Sequence, residues 1–362
     1  MGGLTLGPRP LAINYLLEDT TLFGGVKVVL HHANLLCARG HRVTVVSKGP
    51  QPGWYPVQAP FLQVPEFSYA TVPEADVTVA TYWTTVEPAF AAGRGQVVHY
   101  CQGFEASLTH NAADHPHILS AYRVPIPAFA VAPHLVVFLA ARFGRAARLV
   151  PPALERYWRP RPRLAPRPPF RVLVMHPVEF YPKGTGIALA AVQQLRQQGV
   201  PCRLVRVTQL PVSDVERREL RAEDLHVGLA PRRVARVMRR CDLLLAPSWA
   251  VEGFGLPVLE AAASGVPPIA SDIPAFRDLL GDWPALVRFD DTSAFAAAAG
   301  RLLTDRVAWR QLRDRGLEAA HRFSVKRSAE VLEEAMRWVA DGSWRRDRGA
   351  AGALRDPGEA RA

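Results

Sequence analysis

Lysine is nearly missing from this chain. Among 44 basic residues, Lys27, Lys48, Lys183 and Lys326 are the lysines, and all the others are arginine. Cysteine is equally sparse: Cys37, Cys101, Cys202 and Cys241 stand far apart, and no two form a C-x-x-C pair. That spacing argues against a zinc knuckle or a disulfide framework and for free thiols in a reducing cytosol. No charged segment precedes a long apolar run at the start, so no signal peptide is expected. The most apolar stretch, 128–141, contains Pro133 and His134 and is too short to span a bilayer. These absences give the expectation of a cytoplasmic chain. Acidic residues are outnumbered, 33 against 44, leaving a net charge of +11. Such a surplus implies anionic partners without naming them, and it admits peripheral contact with the inner face of an anionic membrane. With 32 prolines beside the arginines, the surplus reads as coding bias more than as a binding device. No nucleic-acid module is present, so no specific nucleic acid is expected.

What is there is enough for two full cores: 362 residues, 49% of them hydrophobic. The segment 11–17 (LAINYLL) reads as a strand, the glycine pair Gly24-Gly25 opens a helix over 26–39, and 41–46 (HRVTVV) reads as the next strand. This is a βαβ unit with its glycines where strand feeds helix. Such a pair lets backbone approach a ligand, and equally makes a tight turn. Further strands are expected at 76–81, 96–100, 129–132 and 148–150. Residues 151–169 (PPALERYWRPRPRLAPRPP) are too rich in proline for a regular element and read as a linker. A second alternation follows: strands 170–175, 202–207 and 242–247, with helices over 186–199 and 231–241. The last of these carries its arginines on a solvated or anion-facing side. Helices are then expected near 292–304, 307–322 and 324–339, and the Arg/Gly/Ala-rich end, 343–362, is expected to be disordered.

The chemistry concentrates in 247–280, PSWAVEGFGLPVLEAAASGVPPIASDIPAFRDLL. A buried strand runs into a turn bearing Gly253 and Gly255, and a helix follows over 256–263 with Pro257 in its first turn. Gly265 stops that helix before the strand 267–271. Glu252 and Glu260 bracket the turn, and the helix N-terminus between them offers unpaired N–H groups to a phosphate or to sugar hydroxyls. The same residues also read as an ordinary strand-to-helix turn with two solvated glutamates.

Glu252, seven residues, then Glu260, with Gly253-Phe254-Gly255-Leu256-Pro257 between, resembles the signature loop of family-4 retaining glycosyltransferases, the glycosyl transferases group 1. The likeness continues through Ala261-Ala262-Ala263-Ser264-Gly265-Val266-Pro267 to Asp272-Ile273-Pro274. It covers the C-terminal half well and the N-terminal half by layout. The resemblance implies an α/β protein of GT-B type, with two Rossmann-like domains facing across a cleft. It assigns 1–150 to an acceptor-side domain, 170–323 to a nucleotide-sugar-binding domain, and 324–342 to a helix returning to the first. It implies transfer of a hexosyl group from a nucleotide diphosphate sugar to a hydroxyl acceptor with retained configuration, as in polysaccharide biosynthesis, with no metal. A nucleotide-sugar epimerase on the same scaffold and a polyanion binder without chemistry are the rival readings.

Residue by residue, the resemblance has Glu260 accept from both ribose hydroxyls and Glu252 face the anomeric carbon. Backbone N–H groups of Phe254, Gly255 and Leu256 hold donor oxygens. Lys183 precedes Gly184 at a helix start, where a cation beside glycine suits a phosphate, although a solvated loop lysine looks the same. In a chain that otherwise uses arginine, a lysine here points to a need for a compact ammonium. The resemblance puts Lys183-Gly184 on the donor diphosphate; its arginine five residues earlier is Val178 here. Gly24 and Gly25 would face the donor phosphates and the acceptor. On the acceptor side stand Gln102 and Gly103, with Glu105 as the nearest ionisable group and His110, His115 and His117 just beyond. Those histidines read as a polar surface loop, an acceptor loop, or least readily a metal site.

Overall fold

The computed structural model describes residues 9–162, 165–220 and 222–351. The chain divides into two units: the first runs to Ala153 and resumes at Lys326, and the second is Leu154–Val325.

In the first unit, β1 (Ala12–Leu17), β2 (Arg42–Ser47), β3 (Phe61–Gln63), β4 (Val77–Ala80), β5 (Gln96–Cys101), β6 (Ala128–Ala130) and β7 (Ala147–Leu149) form one sheet. Its order is β3-β2-β1-β4-β5-β6-β7, parallel throughout. The central strands are buried along nearly their whole length on both faces, with Asn14, Thr78 and His99 among the mostly apolar residues. The helix Val325–Ala340 packs here: Leu332, Met336 and Val339 are fully buried, and Glu333 takes Arg39, Arg337 and His41 around its carboxylate.

The second unit holds β8 (Phe170–Met175), β9 (Cys202–Thr208), β10 (Asp224–Val227), β11 (Leu243–Ala246), β12 (Pro268–Ser271) and β13 (Leu286–Val287). The order is β10-β9-β8-β11-β12-β13, again all parallel. Both units are Rossmann-like. In each sheet the strand order reverses beside the first strand, and in such sheets ligands bind past the carboxyl ends at that reversal. In the second unit the reversal lies between β8 and β11. Asp242 clamps it: its carboxylate accepts the Arg171 N–H at 2.7 Å, and its own N–H returns to Arg171 O at 2.7 Å. Trp309, fully buried on the helix Arg306–His321, donates its indole N–H to Asp242 O at 2.7 Å. The two strand ends are therefore fixed in register (Leu243 beside Val172, Leu245 beside Val174) before any loop begins.

The structure departs from the sequence reading in three places. Edge strands β3, β10 and β13 were not expected; they are two to four residues long and partly exposed, so they carry no apolar run to read. The proline-rich segment 151–169 is not wholly a spacer. Leu154 N–H bonds Phe323 O at 2.8 Å, and Trp158, buried, donates to Glu155 at 3.0 Å. The terminal stretch 343–362, expected to be disordered, opens instead with the helix Trp344–Ala351. Burial of Trp344, with the Trp338 indole donating to Asp347 at 2.8 Å, supplies the apolar anchor that its composition conceals. Residues 352–362 of that stretch lie outside the described residues.

Candidate active site

Past β8 the chain turns at His176, makes a short 3-10 turn over Tyr181–Lys183, and enters the helix Thr185–Gln197 through Gly184. Gly184 has φ +60°, and a Cβ there would lie 2.0 Å from the carbonyl oxygen of Pro247. Only glycine permits that approach, and through it the loop after β8 rests directly on the loop after β11. The contact is locked on both sides: Trp249 N–H bonds Pro182 O at 2.8 Å, and Glu252 N–H bonds Trp249 O at 3.0 Å. Residues 69 positions apart then meet, with Lys183 Nζ donating to Glu252 Oε2 at 2.7 Å.

Lys183 is 23% exposed and Glu252 9%. Burial by itself would raise the Glu252 carboxyl. The Lys183 ammonium and its hydrogen bond, His176, and a hydrogen bond from Ser248 outweigh it, so the group is held below the usual carboxylate range and is ionised at neutral pH. The His176 imidazole goes the other way. Burial first, then Lys183 and Arg206, push it down to about 3 against the pull of Glu252, so it is neutral. Lys183, Glu252, His176, Thr185, Ser248 and Gly255 line a small cavity of about 20 Å³. Thr185 ties the strand end to the helix start, its hydroxyl donating to Met175 O at 3.2 Å.

Gly255, at φ +87°, precedes the helix Leu256–Ala263; a Cβ on it would strike the Phe276 ring at 2.2 Å. Gly253 and Phe254 are buried, and the Phe254 side chain packs on Phe323 with ring centroids 5.4 Å apart, which leaves the backbone of 254–256 as the part able to face a ligand. Glu260 is 6% exposed within that helix and is not among the residues lining the cavity. The structure thus joins Lys183, Glu252 and Gly255 at one point and sets Glu260 further along the helix.

In the first unit, Gln102, just past β5, donates its side-chain amide to Gly25 O at 3.3 Å, so the glycine pair at the start of the helix Gly24–Ala38 meets the polar turn after β5. Glu105 does not face outward as an acceptor-side acid would. It is 8% exposed and receives the Tyr122 hydroxyl, which also donates to Gly103 O at 2.7 Å. Burial pushes its carboxyl up to about 7, against the lowering by Tyr122 and by its own backbone N–H. His110 is exposed in the turn Thr109–Asp114. No three His, Cys, Asp or Glu side chains converge as metal ligands among the described residues.

Sequence reasoning missed His176, Thr185, Ser248 and Glu18. The last sits one residue past β1, at that sheet's reversal, between Lys48 at 2.9 Å and Thr84 at 2.7 Å. A polar residue directly after an apolar strand was the available signal for His176 and Glu18.

Two parallel Rossmann-like sheets of this kind define the GT-B fold. The solved structure of Anabaena HepE in complex with UDP-glucose superposes with a TM-score of 0.71 at 16% identity, over 90% of this chain and 99% of that one. Residues 171–305 match the family described as glycosyl transferases group 1. Among relatives, a D-inositol 3-phosphate glycosyltransferase from Nocardia farcinica is 39% identical over 106 residues, 29% of this chain and 23% of that protein. A phosphatidyl-myo-inositol mannosyltransferase from Mycobacterium leprae is 38% identical over 91 residues, 25% of this chain and 24% of that protein. The matched segment spans about a quarter of the length of these curated relatives.

Proposed function

We propose that this chain is a retaining glycosyltransferase that moves a hexosyl group from a nucleotide diphosphate sugar to a hydroxyl acceptor. The observation that carries the reading is the Lys183–Glu252 pair at 2.7 Å, held past the carboxyl ends of β8 and β11 where the sheet order reverses. As the bond from the anomeric carbon to phosphate breaks, negative charge grows on the departing diphosphate and positive charge on the sugar. Lys183 and the N–H groups opening the helices Thr185–Gln197 and Leu256–Ala263 stabilise the first, and the ionised Glu252 the second. The acceptor oxygen attacks from the face the phosphate leaves, and its proton passes to a phosphate oxygen. Glu260 accepts from the ribose hydroxyls. In the first unit, Gly24 and Gly25 serve the donor phosphates and the acceptor, and Gln102 and Gly103 serve the acceptor side.

Charge compensation by a lysine and helix ends makes a metal unnecessary in this reading. Four free cysteines fit a reducing cytoplasm, and the net charge of +11 fits peripheral contact with an anionic membrane. No helix among the described residues is long and apolar enough to cross a membrane. The names of the Nocardia and Mycobacterium relatives favour a polyol or phosphorylated polyol acceptor. No observation favours the epimerase or polyanion-binder readings.

The test is a thermal-shift panel of UDP-, GDP-, ADP- and dTDP-sugars. A donor at a hundred times its dissociation constant stabilises by about 2.7 kcal/mol. With that donor, turnover should persist in EDTA, and Lys183→Ala should lose donor affinity and turnover together. A chain that none of the donors stabilises, or activity that vanishes with EDTA and returns with Mg²⁺, overturns the reading or its metal-free form.

A further inference from the structure

His176 has φ +74°, and among the described residues no other non-glycine residue has a positive φ. An L side chain is crowded in that conformation, and a following proline, here Pro177, restricts the backbone further. The backbone is held there: His176 N–H bonds Val207 O at 3.1 Å, and the Thr185 hydroxyl lies 3.4 Å from His176 O. Glycine would take this position without strain, so the histidine is kept at a cost. Nothing inside the protein accounts for it. Lys183, Glu252 and Arg206 act on the ring through space, and among the described residues no hydrogen bond reaches it. Strain of this kind gathers where a side chain must meet a ligand.

The ring lines the cavity at the end of β8 and the start of the helix Thr185–Gln197, together with Lys183 and Gly255. Arg206, the other cation that acts on the ring, is fully buried and paired with Glu216 at 2.7 Å. We infer that His176 is a donor-contacting residue, whose imidazole gives its N–H to an oxygen of the nucleotide diphosphate held by Lys183. This rests on the nucleotide-sugar reading above. The ring and the ammonium divide the work: Lys183 supplies charge, and His176 supplies a directed hydrogen bond that orients the diphosphate for departure.

The experiment is calorimetric titration of the full chain with UDP, GDP, ADP and dTDP, then with the matching monophosphate of whichever binds, repeated for His176→Gly and His176→Asn. His176→Gly should melt no lower than the wild type, because glycine suits the backbone, yet bind the diphosphate about tenfold or more weakly, the scale of one hydrogen bond to a charged group. The monophosphate should lose less. Asparagine tolerates the left-handed region and keeps an N–H donor, so His176→Asn should recover part of the affinity. Unchanged diphosphate affinity in His176→Gly, with or without a lower melting point, overturns this inference alone, as does an equal loss for both nucleotides. A wild-type chain that binds none of the four diphosphates sinks the nucleotide-sugar reading along with it.

Discussion

A glutamate that faces a reacting centre and one that holds a spectator group fail differently when neutralised. Glu252 is ionised, paired with Lys183, and placed where the sugar's positive charge would develop. Its effect belongs to the transition state, so Glu252→Gln should lower kcat, by about 10² to 10³, with little change in donor KM. Glu260, buried in the helix Leu256–Ala263 and away from the cavity, would hold ribose hydroxyls that do not change during transfer. Glu260→Gln should therefore raise donor KM with kcat nearly intact. Steady-state kinetics on both variants with a confirmed donor separates the roles, and the reverse pattern would exchange them. Glu252 and Glu260 are equally visible in the sequence, with seven residues between them. That Glu252 reaches Lys183 while Glu260 lies within the following helix was decided by the fold.

At the scale of elements, the turn after β5 rests on a buried acid. The Glu105 carboxyl, raised to about 7, is enclosed with Tyr122 and Cys101, both themselves pushed up by burial, while Arg145 lies near on the β5 side and is directed to His99, Ile126 O and Pro127 O. Between the ordinary glutamate range and about 7, the unfolded chain has released a proton that the native chain still binds. Native stability therefore falls as pH rises through that window, by on the order of 3 kcal/mol from this one group. Glu105→Gln keeps the acceptor for Tyr122 and removes the titration. Its melting temperature should change less between pH 5 and pH 8 than that of the wild type, and should exceed it at pH 8. An unaltered pH profile would mean that Glu105 is ionised in the native protein. None of this was legible in the sequence, where Glu105 stood as the nearest ionisable group on the acceptor side; its burial comes with Phe104, Phe138 and Phe143 packing around Tyr122.

For the whole molecule, the chain leaves its first unit at Ala153 and returns to it at Lys326. The returning helix fills the first unit's core with Leu332, Met336 and Val339 and secures its position through Glu333 and through Arg148, whose guanidinium lies 4.7 Å from the Trp338 ring. A chain ending at Val325 should lose the first unit and keep the second, because removing three fully buried side chains opens a cavity no surface rearrangement can close. Limited proteolysis read by mass spectrometry checks this: cuts should accumulate before Ala153 while 165–325 stays protected. Protection of both units would show that the helix is an accessory.

The long buried elements needed only local information. The helix Leu256–Ala263 was bounded by Pro257 and Gly265, β8 by an apolar run interrupted by Arg171 alone, and the helix Thr292–Thr304 by its spacing. The two-sheet α/β architecture followed from their alternation, since strands buried on both faces and amphipathic helices pack in few ways. The tertiary structure decided what depends on long-range registry. The sheet order, not the spacing, set β8 against β11 and so put Lys183 on Glu252, 69 residues away. It brought Gln102 to Gly25 across β4 and buried Glu105 beneath that turn. It also held His176 in a conformation that no local preference of histidine would choose. A local pattern records what each residue favours by itself; which loops meet is fixed by hydrogen bonding between strands distant in the chain, and that has no local signature.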